Sequence, residues 1–76
     1  MAKHLVMQVE VPYIEDGKSE FWQVWSENKT MAIIHRCPTY AQVHYCRRDE
    51  WKGELTNMMR LRGVQDAELY SSIGNA

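Results

Sequence analysis

Two runs of alternating apolar and polar residues, separated by an Asp-Gly pair, constrain the fold of this chain more than any other feature. The runs cover residues 4–11 and 20–25, on either side of Asp16-Gly17. The apolar side of the first run consists of Leu5, Met7, Val9 and Val11. Alternation with a period of two predicts β-strands. The Asp-Gly pair predicts a hairpin between them, because both residues of a two-residue turn must adopt a positive φ.

The register of this hairpin predicts which aromatic side chains face outward. With Asp16-Gly17 as a two-residue turn, Trp22 faces the core, whereas Phe21 and Trp25 lie on the opposite, largely polar side. The predicted pairs on the core side are Val11–Trp22 and Val9–Val24, and those on the other side are Gln8–Trp25, Glu10–Gln23 and Pro12–Phe21. Two large aromatic side chains on a polar face indicate a contact surface more than a reaction centre.

A third strand is expected over residues 30–36, after a turn at Asn28-Lys29. Asn tolerates the left-handed backbone of such a turn better than most residues do, and the β-branched pair Ile33-Ile34 favours a strand. The predicted cross-strand neighbours are Ile33 and Val24, His35 and Trp22, and Arg36 and Phe21. A short helix over residues 27–36, capped by Ser26, is the alternative.

The segment after residue 37 predicts a helix and then a return to the sheet. Thr39 can cap a helix, and Gly53 can end it. The residues that recur at helical spacing between them are Tyr40, Val43 and Cys46. Residues 55–62 fit both a strand and a helix, and the strand is favoured because the segment follows a helix and a glycine. A short helix is expected to begin near Asp66.

Together these elements predict an α+β fold in a single domain that spans residues 1–76. Its sheet is small and antiparallel, the elements follow the order β-β-β-α-β, and one helix packs on one face of the sheet. This layer explains why only one side of the first hairpin is apolar, since only that side needs to be covered.

Composition and charge narrow the classes of function. The 76-residue chain has 45% hydrophobic and 25% charged residues, which is typical of a folded globular domain. It has no apolar run near the ~18 residues of a membrane span and no secretion signal, so a cytoplasmic location is expected. The net charge of −1 argues against a general nucleic-acid binder. Six basic and three acidic residues fall within 31–62, an asymmetry that can steer an encounter with an acidic partner, and an ordinary solvated surface is the alternative.

A doubled His-x-Cys pattern is the candidate metal site in the sequence. Its residues are His35, Cys37, His44 and Cys46. Within the predicted helix, His44 and Cys46 would point in divergent directions, so we expect no metal or other cofactor. Because cysteines of a cytoplasmic protein are usually reduced, we expect both to be free, packed thiols. A hairpin of residues 31–37 and 42–48 would instead bring all four side chains to one face.

No catalytic arrangement is expected. A Cys–His nucleophile pair needs a lowered thiol pKa and a third group that orients the histidine. The four glycines are isolated from one another, so the chain has no glycine-rich phosphate loop. We therefore expect that the protein is not an enzyme.

Aromatic and arginine content favours a binding surface. Trp, Tyr and Arg dominate the energy of many protein interfaces, and the chain has three Trp, four Tyr and five Arg, more than a small core can enclose. We expect a partner-binding surface made of Phe21, Trp25, Arg36, Arg60 and Arg62. Single-stranded nucleic acid that stacks on the same face is the alternative ligand. A C-terminal tail that covers Phe21 and Trp25 is the alternative arrangement.

The order of elements over residues 20–62 resembles that of the T7-type phage inhibitors of bacterial RNA polymerase. The likeness rests on the segment EFWQVWS at residues 20–26, a following strand, a Thr-started helix ending at Glu50-Trp51, and a basic strand over 55–62. The strand over 4–13 departs from that pattern. The resemblance implies a small inhibitor, in the host cytoplasm, that occludes a host protein such as RNA polymerase or, like small anti-CRISPR proteins, a CRISPR effector. It implies Arg60 and Arg62 as contact residues. Separately, an exposed strand edge, over 4–13 or 54–62, could pair across a two-fold axis, so a monomer and a homodimer both stay open.

Overall fold

Four antiparallel strands followed by two helices form the parts of the chain that the structure, a computed structural model, describes: residues 3–12, 19–37 and 40–72. The strands are β1 (Lys3–Pro12), β2 (Ser19–Glu27), β3 (Thr30–Arg36) and β4 (Ala41–Arg47). The helices are α1 (Trp51–Leu61) and α2 (Ala67–Ser72). The strands lie side by side in chain order in one sheet. The predicted class, a small antiparallel sheet with a helix packed on one face, is confirmed.

From Met7 onward, the first hairpin has the predicted faces but a different register. Val9 pairs with Trp22 and Met7 with Val24, two residues away from the predicted pairs. The predicted turn at Asp16-Gly17 lies outside the described residues. Moving the centre of a hairpin by one residue changes every pair by two, and a change of two keeps each side chain on its face. Trp22 is accordingly buried, as predicted.

A bulge near the start of β1 reverses the face of Leu5. The register shifts between Leu5 and Met7, and Leu5 pairs with Trp25 on the outer side of the sheet. The prediction that Leu5 shares the core side with Met7 is therefore wrong, because an extra residue in one strand inverts the alternation beyond it. Leu5 is 46% exposed, while Val6 at the bulge packs against the core.

The third strand is confirmed with its register. The three expected cross-strand pairs are present: Val24–Ile33, Trp22–His35 and Phe21–Arg36. Asn28 has a φ of 48° in the turn before the strand, the left-handed conformation expected of it. The alternative helix over 27–36 does not form.

The elements after residue 37 differ from the prediction. Residues 41–47 form β4 rather than a helix, and residues 55–61 belong to α1 rather than to a returning strand. Gly53 lies inside the first turns of α1 instead of ending a helix. Because β4 already supplies the fourth strand, the sheet does not need a strand from residues 55–62. Of the two patterns that this segment fits, the helical one is therefore the one that the structure follows. The short helix expected near Asp66 is present as α2.

The core lies between one face of the sheet and α1. Its fully buried large side chains include Trp22, Ile33, Leu55 and Met59, and each such side chain contributes roughly 1.5–3 kcal/mol through burial. Ala67 joins α2 to the same cluster. Both helices therefore cover what we call the inner face of the sheet. In the described ranges, neither helix is long and apolar enough to cross a membrane.

Candidate functional site

The outer face of the sheet, on the side away from both helices, carries a continuous set of apolar side chains. Alternation along the four strands places them there, and every strand contributes. These residues are Leu5, Phe21, Trp25, Ile34, Val43 and Tyr45. Val43 is 52% exposed and Tyr45 is 60% exposed, values that are high for large apolar side chains. An exposed apolar set of this kind is typical of an interaction surface.

One cross-strand row gives the outer face its aromatic centre. The row runs Leu5, Trp25, Ala32 and Tyr45, one residue from each strand. Ala32 has no exposed surface, although it points outward, because Trp25 and Tyr45 flank it. Neighbouring side chains in such rows are close enough to pack against one another. The two aromatic residues and the small residue between them therefore form one packed unit.

Hydrogen bonds between side chains fix the position of Trp25 on this face. The Trp25 indole N–H donates to Gln23 Oε1 at 3.2 Å, and Gln23 Nε2 donates to Gln8 Oε1 at 2.6 Å. The indole is thus oriented in the free protein. A side chain that is already ordered loses less conformational entropy when a partner binds, which favours affinity.

Charge on the outer face is mixed, with an exposed cation at one corner. Phe21 lies between Glu10 and Arg36 in a second cross-strand row. Arg36 is exposed and forms no ion pair within the described residues. A shallow groove of about 250 Å³ joins this corner to the aromatic row, and its lining is Lys3, Gln23, Trp25, Glu27, Ile34 and Arg36. Arg36 is therefore available to an acidic group of a partner.

The five residues predicted as one binding surface lie on two sides of the protein. Phe21, Trp25 and Arg36 are on the outer face, as expected. Arg60 and Arg62 are at the end of α1, behind the sheet, so they cannot touch the same surface. The cause is the helical conformation of residues 55–61. Sequence reasoning also missed Val43 and Tyr45, whose alternation within β4 was obscured by the assumed helix.

A buried polar cluster lies on the inner face, below the corner that carries Arg36. Glu20 Oε1 and His35 Nε2 are 2.5 Å apart, and Cys37 Sγ is 3.3 Å from the same nitrogen. Arg62 Nη2 donates to Glu20 Oε2 at 2.8 Å and lies 3.8 Å from Cys37 Sγ. Glu20 is 3% exposed and His35 is 1% exposed. Three elements, β2, β3 and the end of α1, thus converge on one point.

Aromatic rings pack against this cluster, and its contacts shift the pKa values of two side chains. The Trp22 ring stacks on His35, with centroids 4.0 Å apart, and Tyr40 meets the same imidazole edge-on. Burial would raise the pKa of Glu20, but hydrogen bonds from Arg62 and His35, with the electrostatic effect of both groups, outweigh burial and lower it. A hydrogen bond to Cys37 raises the pKa of the Tyr40 phenol. The carboxylate of Glu20 is therefore ionised at neutral pH.

The cluster does not have the geometry of a nucleophilic triad. In a triad the histidine uses one ring nitrogen for the nucleophile and the other for the acid. Glu20 and Cys37 both approach His35 Nε2. The nitrogen that would take the proton of the Cys37 thiol is therefore the one that already contacts Glu20. The two partners do not lie on separate ring nitrogens, so His35 cannot pass a proton between them as a triad histidine does.

The doubled His-x-Cys pattern is divided between two places. The hairpin of β3 and β4 does turn the second pair toward the inner face, but His44 hydrogen-bonds Glu54 at 2.8 Å instead of joining the cluster. Cys46 packs against the core, and burial, with the charges of Glu54 and Glu50, raises the pKa of its thiol. Both cysteines are free, as expected.

Comparison with protein-family models, with curated proteins and with solved structures found no match. The likeness to phage inhibitors therefore stays a prediction, and function has to be argued from the geometry of the outer face and the cluster.

Proposed function

We propose that this chain is a non-catalytic protein-binding module that receives another protein on the outer face of its sheet. The supporting observation is the packed row of Leu5, Trp25, Ala32 and Tyr45 with Phe21 and Val43 beside it. Within the described residues both helices lie on the opposite face, so this apolar surface faces solvent. Leaving such side chains in water is unfavourable, and a partner that covers them would recover that free energy.

The partner is expected to place an acidic group near Arg36. This arginine stands at the edge of the aromatic surface and forms no ion pair in the described ranges, although Glu27 lines the same groove. Trp, Tyr and Arg residues at the centre of an interface often contribute ~2 kcal/mol or more each. An acidic group opposite Arg36 would also fix the orientation of the complex, because charge complementarity sets register.

The resemblance to phage inhibitors makes this proposal more specific, because it names inhibition as the result of binding. A small domain with one adhesive sheet face can inhibit a larger protein simply by occupying its surface. RNA polymerase and a CRISPR effector in the host cytoplasm are the targets that the resemblance implies. Arg60 and Arg62 drop out of the contact set, since they lie behind the sheet.

Single-stranded nucleic acid is the second candidate ligand. Phe21, Trp25 and Tyr45 offer aromatic rings on which bases could stack. Glu10 and Glu27 lie on the same face, however, and would repel a phosphate backbone. The two ligands differ in their response to salt, because nucleic-acid binding releases counterions and weakens steeply as salt rises.

Capture from a bacterial lysate tests the proposal when outer-face and control variants are compared. Tyr45→Lys places a charge in the aromatic row, and Leu61→Lys places the same charge at a residue of α1 that is 89% exposed. We expect the unmodified chain and Leu61→Lys to retain the same protein, and Tyr45→Lys to lose it. Retention by Tyr45→Lys, or capture of nucleic acid alone with a steep salt dependence, would refute protein binding by this face.

A further inference from the structure

The cluster of Glu20, His35 and Cys37 has a chemistry that the outer face does not use. One ligand atom from each residue, Oε1, Nε2 and Sγ, lies within 4.8 Å of the other two. Glu20 and His35 are paired with each other, as buried polar groups must be unless they bind a metal. We propose that these three side chains bind one divalent transition-metal ion, and that Zn²⁺ is the ion that fits them best.

The donor set selects this class of ion. Zinc binds cysteine sulfur, histidine nitrogen and carboxylate oxygen at about 2.0–2.3 Å, in tetrahedral geometry. Ligand atoms around such a centre are roughly 3.3–3.7 Å apart, as follows from those bond lengths. The 3.3 Å between Cys37 Sγ and His35 Nε2 already has this value. A thiolate ligand disfavours magnesium and calcium, which prefer oxygen.

Glu20 has to move for an ion to enter. Its Oε1 is a hydrogen-bonding distance of 2.5 Å from His35 Nε2, and opening this contact by about 1 Å would give the spacing of two zinc ligands. The imidazole would then carry its proton on Nδ1 and offer the lone pair of Nε2. The thiol proton of Cys37 would be released to solvent, as is usual when cysteine binds a metal. A water molecule would complete the four ligands.

Arg62 is compatible with the ion because it uses the other oxygen of Glu20. It donates to Oε2, which leaves Oε1 to the metal, and outer contacts of this kind orient the ligands of many metal sites. Its guanidinium lies 3.8 Å from Cys37 Sγ, so a positive charge already faces the sulfur that would bind the ion. The thiolate and the carboxylate neutralise a divalent ion, and the remaining charge of Arg62 is screened because its side chain is 32% exposed.

The Trp22 ring packs against the histidine of the proposed metal site. It is fully buried and stacks on His35 at an interplanar angle of 16°. The imidazole plane is therefore held in place before an ion arrives. A ligand that is already oriented makes the site partly preorganised, which favours affinity.

Titration of the metal-free chain with Co²⁺ tests the proposal, because cobalt in a zinc site has visible bands and a thiolate charge-transfer band. We expect one Co²⁺ per chain, a charge-transfer band, and displacement of both signals by Zn²⁺. Cys37→Ser should abolish the charge-transfer band, and Cys46→Ser, the matched change at the other free cysteine, should keep it. Circular dichroism of each variant establishes that it is folded.

Thermal unfolding supplies a second readout. Zn²⁺ should raise the melting temperature of the unmodified chain and of Cys46→Ser but not that of Cys37→Ser, since a ligand that binds only the folded state stabilises it. Glu20→Gln should lower the affinity by at least the roughly 10–100-fold that loss of an outer contact costs. Absence of a charge-transfer band, its persistence in Cys37→Ser, or its loss in Cys46→Ser overturns the proposal.

Discussion

Replacement of Arg62 by methionine separates a structural arginine from a contact arginine. Glu20 has a side chain that is only 4% exposed, and Arg62 bonds it at 2.8 Å. Removing one partner of a fully buried ion pair costs about 3–5 kcal/mol. Arg62 is about one-third exposed, and His35 still bonds Glu20, so we expect a smaller loss of about 2–3 kcal/mol. For a domain of this size that loss lowers the melting temperature by roughly 8–24 °C.

Arg60→Met is the matched control for this change. Arg60 is two residues away on the same helix, and it pairs with Glu68, but both side chains are more than half exposed. Exposed pairs contribute about 0–1 kcal/mol. Urea unfolding of both variants in the presence of a chelator, followed by tryptophan fluorescence, gives the two free energies. Equal losses, or a loss below about 0.5 kcal/mol for Arg62→Met, would contradict the buried-pair interpretation.

The pH dependence of the Arg62→Met loss has a definite sign. The pKa of Glu20 lies below its ordinary value of 4.5 in the folded chain, so its ion pair stabilises the fold above pH 4.5. That stabilisation disappears as the pH falls through the folded-state pKa and the carboxylate takes up a proton. The difference between the two chains should therefore be largest at neutral pH and shrink in acid. A difference that grows in acid would show that another group is responsible.

The remaining predictions concern the two faces of the sheet, the helix and a turn. Trp25→Ala should leave the free energy of unfolding within about 1 kcal/mol of that of the unmodified chain and weaken partner binding by ~2 kcal/mol, about 30-fold. Trp22→Ala, by contrast, should lower the free energy of unfolding by about 3–5 kcal/mol, as measured in urea. Leu55→Ala should cost about 2–5 kcal/mol, and Leu61→Ala less than about 0.5 kcal/mol, so similar losses in unfolding would contradict the orientation of α1. Asn28→Gly should be tolerated and Asn28→Ala should destabilise by about 1 kcal/mol because of the positive φ, which melting temperatures would distinguish.

The faces of the first three strands could be predicted because successive side chains of a strand point to opposite sides of the sheet. An error of two residues in the pairing of β1 left Trp22 inward and Phe21 and Trp25 outward. The bulge at Val6 was missed although the sequence marks it, since Leu5, Val6 and Met7 are three consecutive apolar residues that interrupt the alternation. It is the packing of Val6 against the core that shows the cause.

The second half of the chain was ambiguous for a physical reason. Tyr40, Val43 and Cys46 fit helical spacing, yet the same segment alternates as a strand. Local pattern cannot decide between these when the deciding factor is an open edge of β3, with which β4 pairs. The positions of Leu55 and Met59 in the core follow from that choice, because the sheet then needs a helix to cover it.

The cluster could be predicted only in part. The expected register placed His35 beside Trp22, and Glu20 lies two positions before Trp22 on the same face, so the two were bound to be near each other. Arg62 could not be added, because a residue near the end of a helix reaches Glu20 only after the helix has packed. The sequence therefore places Glu20 near His35 but does not show that Arg62 joins them.

The two faces of the sheet are coupled at one corner by the chain itself. Phe21 follows Glu20, and Arg36 lies between His35 and Cys37, so the backbone that turns the cluster inward also turns Phe21 and Arg36 outward. Anchoring three inner side chains at one point restrains this stretch of β2 and β3. Tyr45 lies in a row farther along the sheet, on β4, and has no neighbour in the cluster. A substitution that removes a contact of the cluster should therefore reduce the free energy that Arg36 contributes to partner binding. The contribution of Tyr45 should stay unchanged.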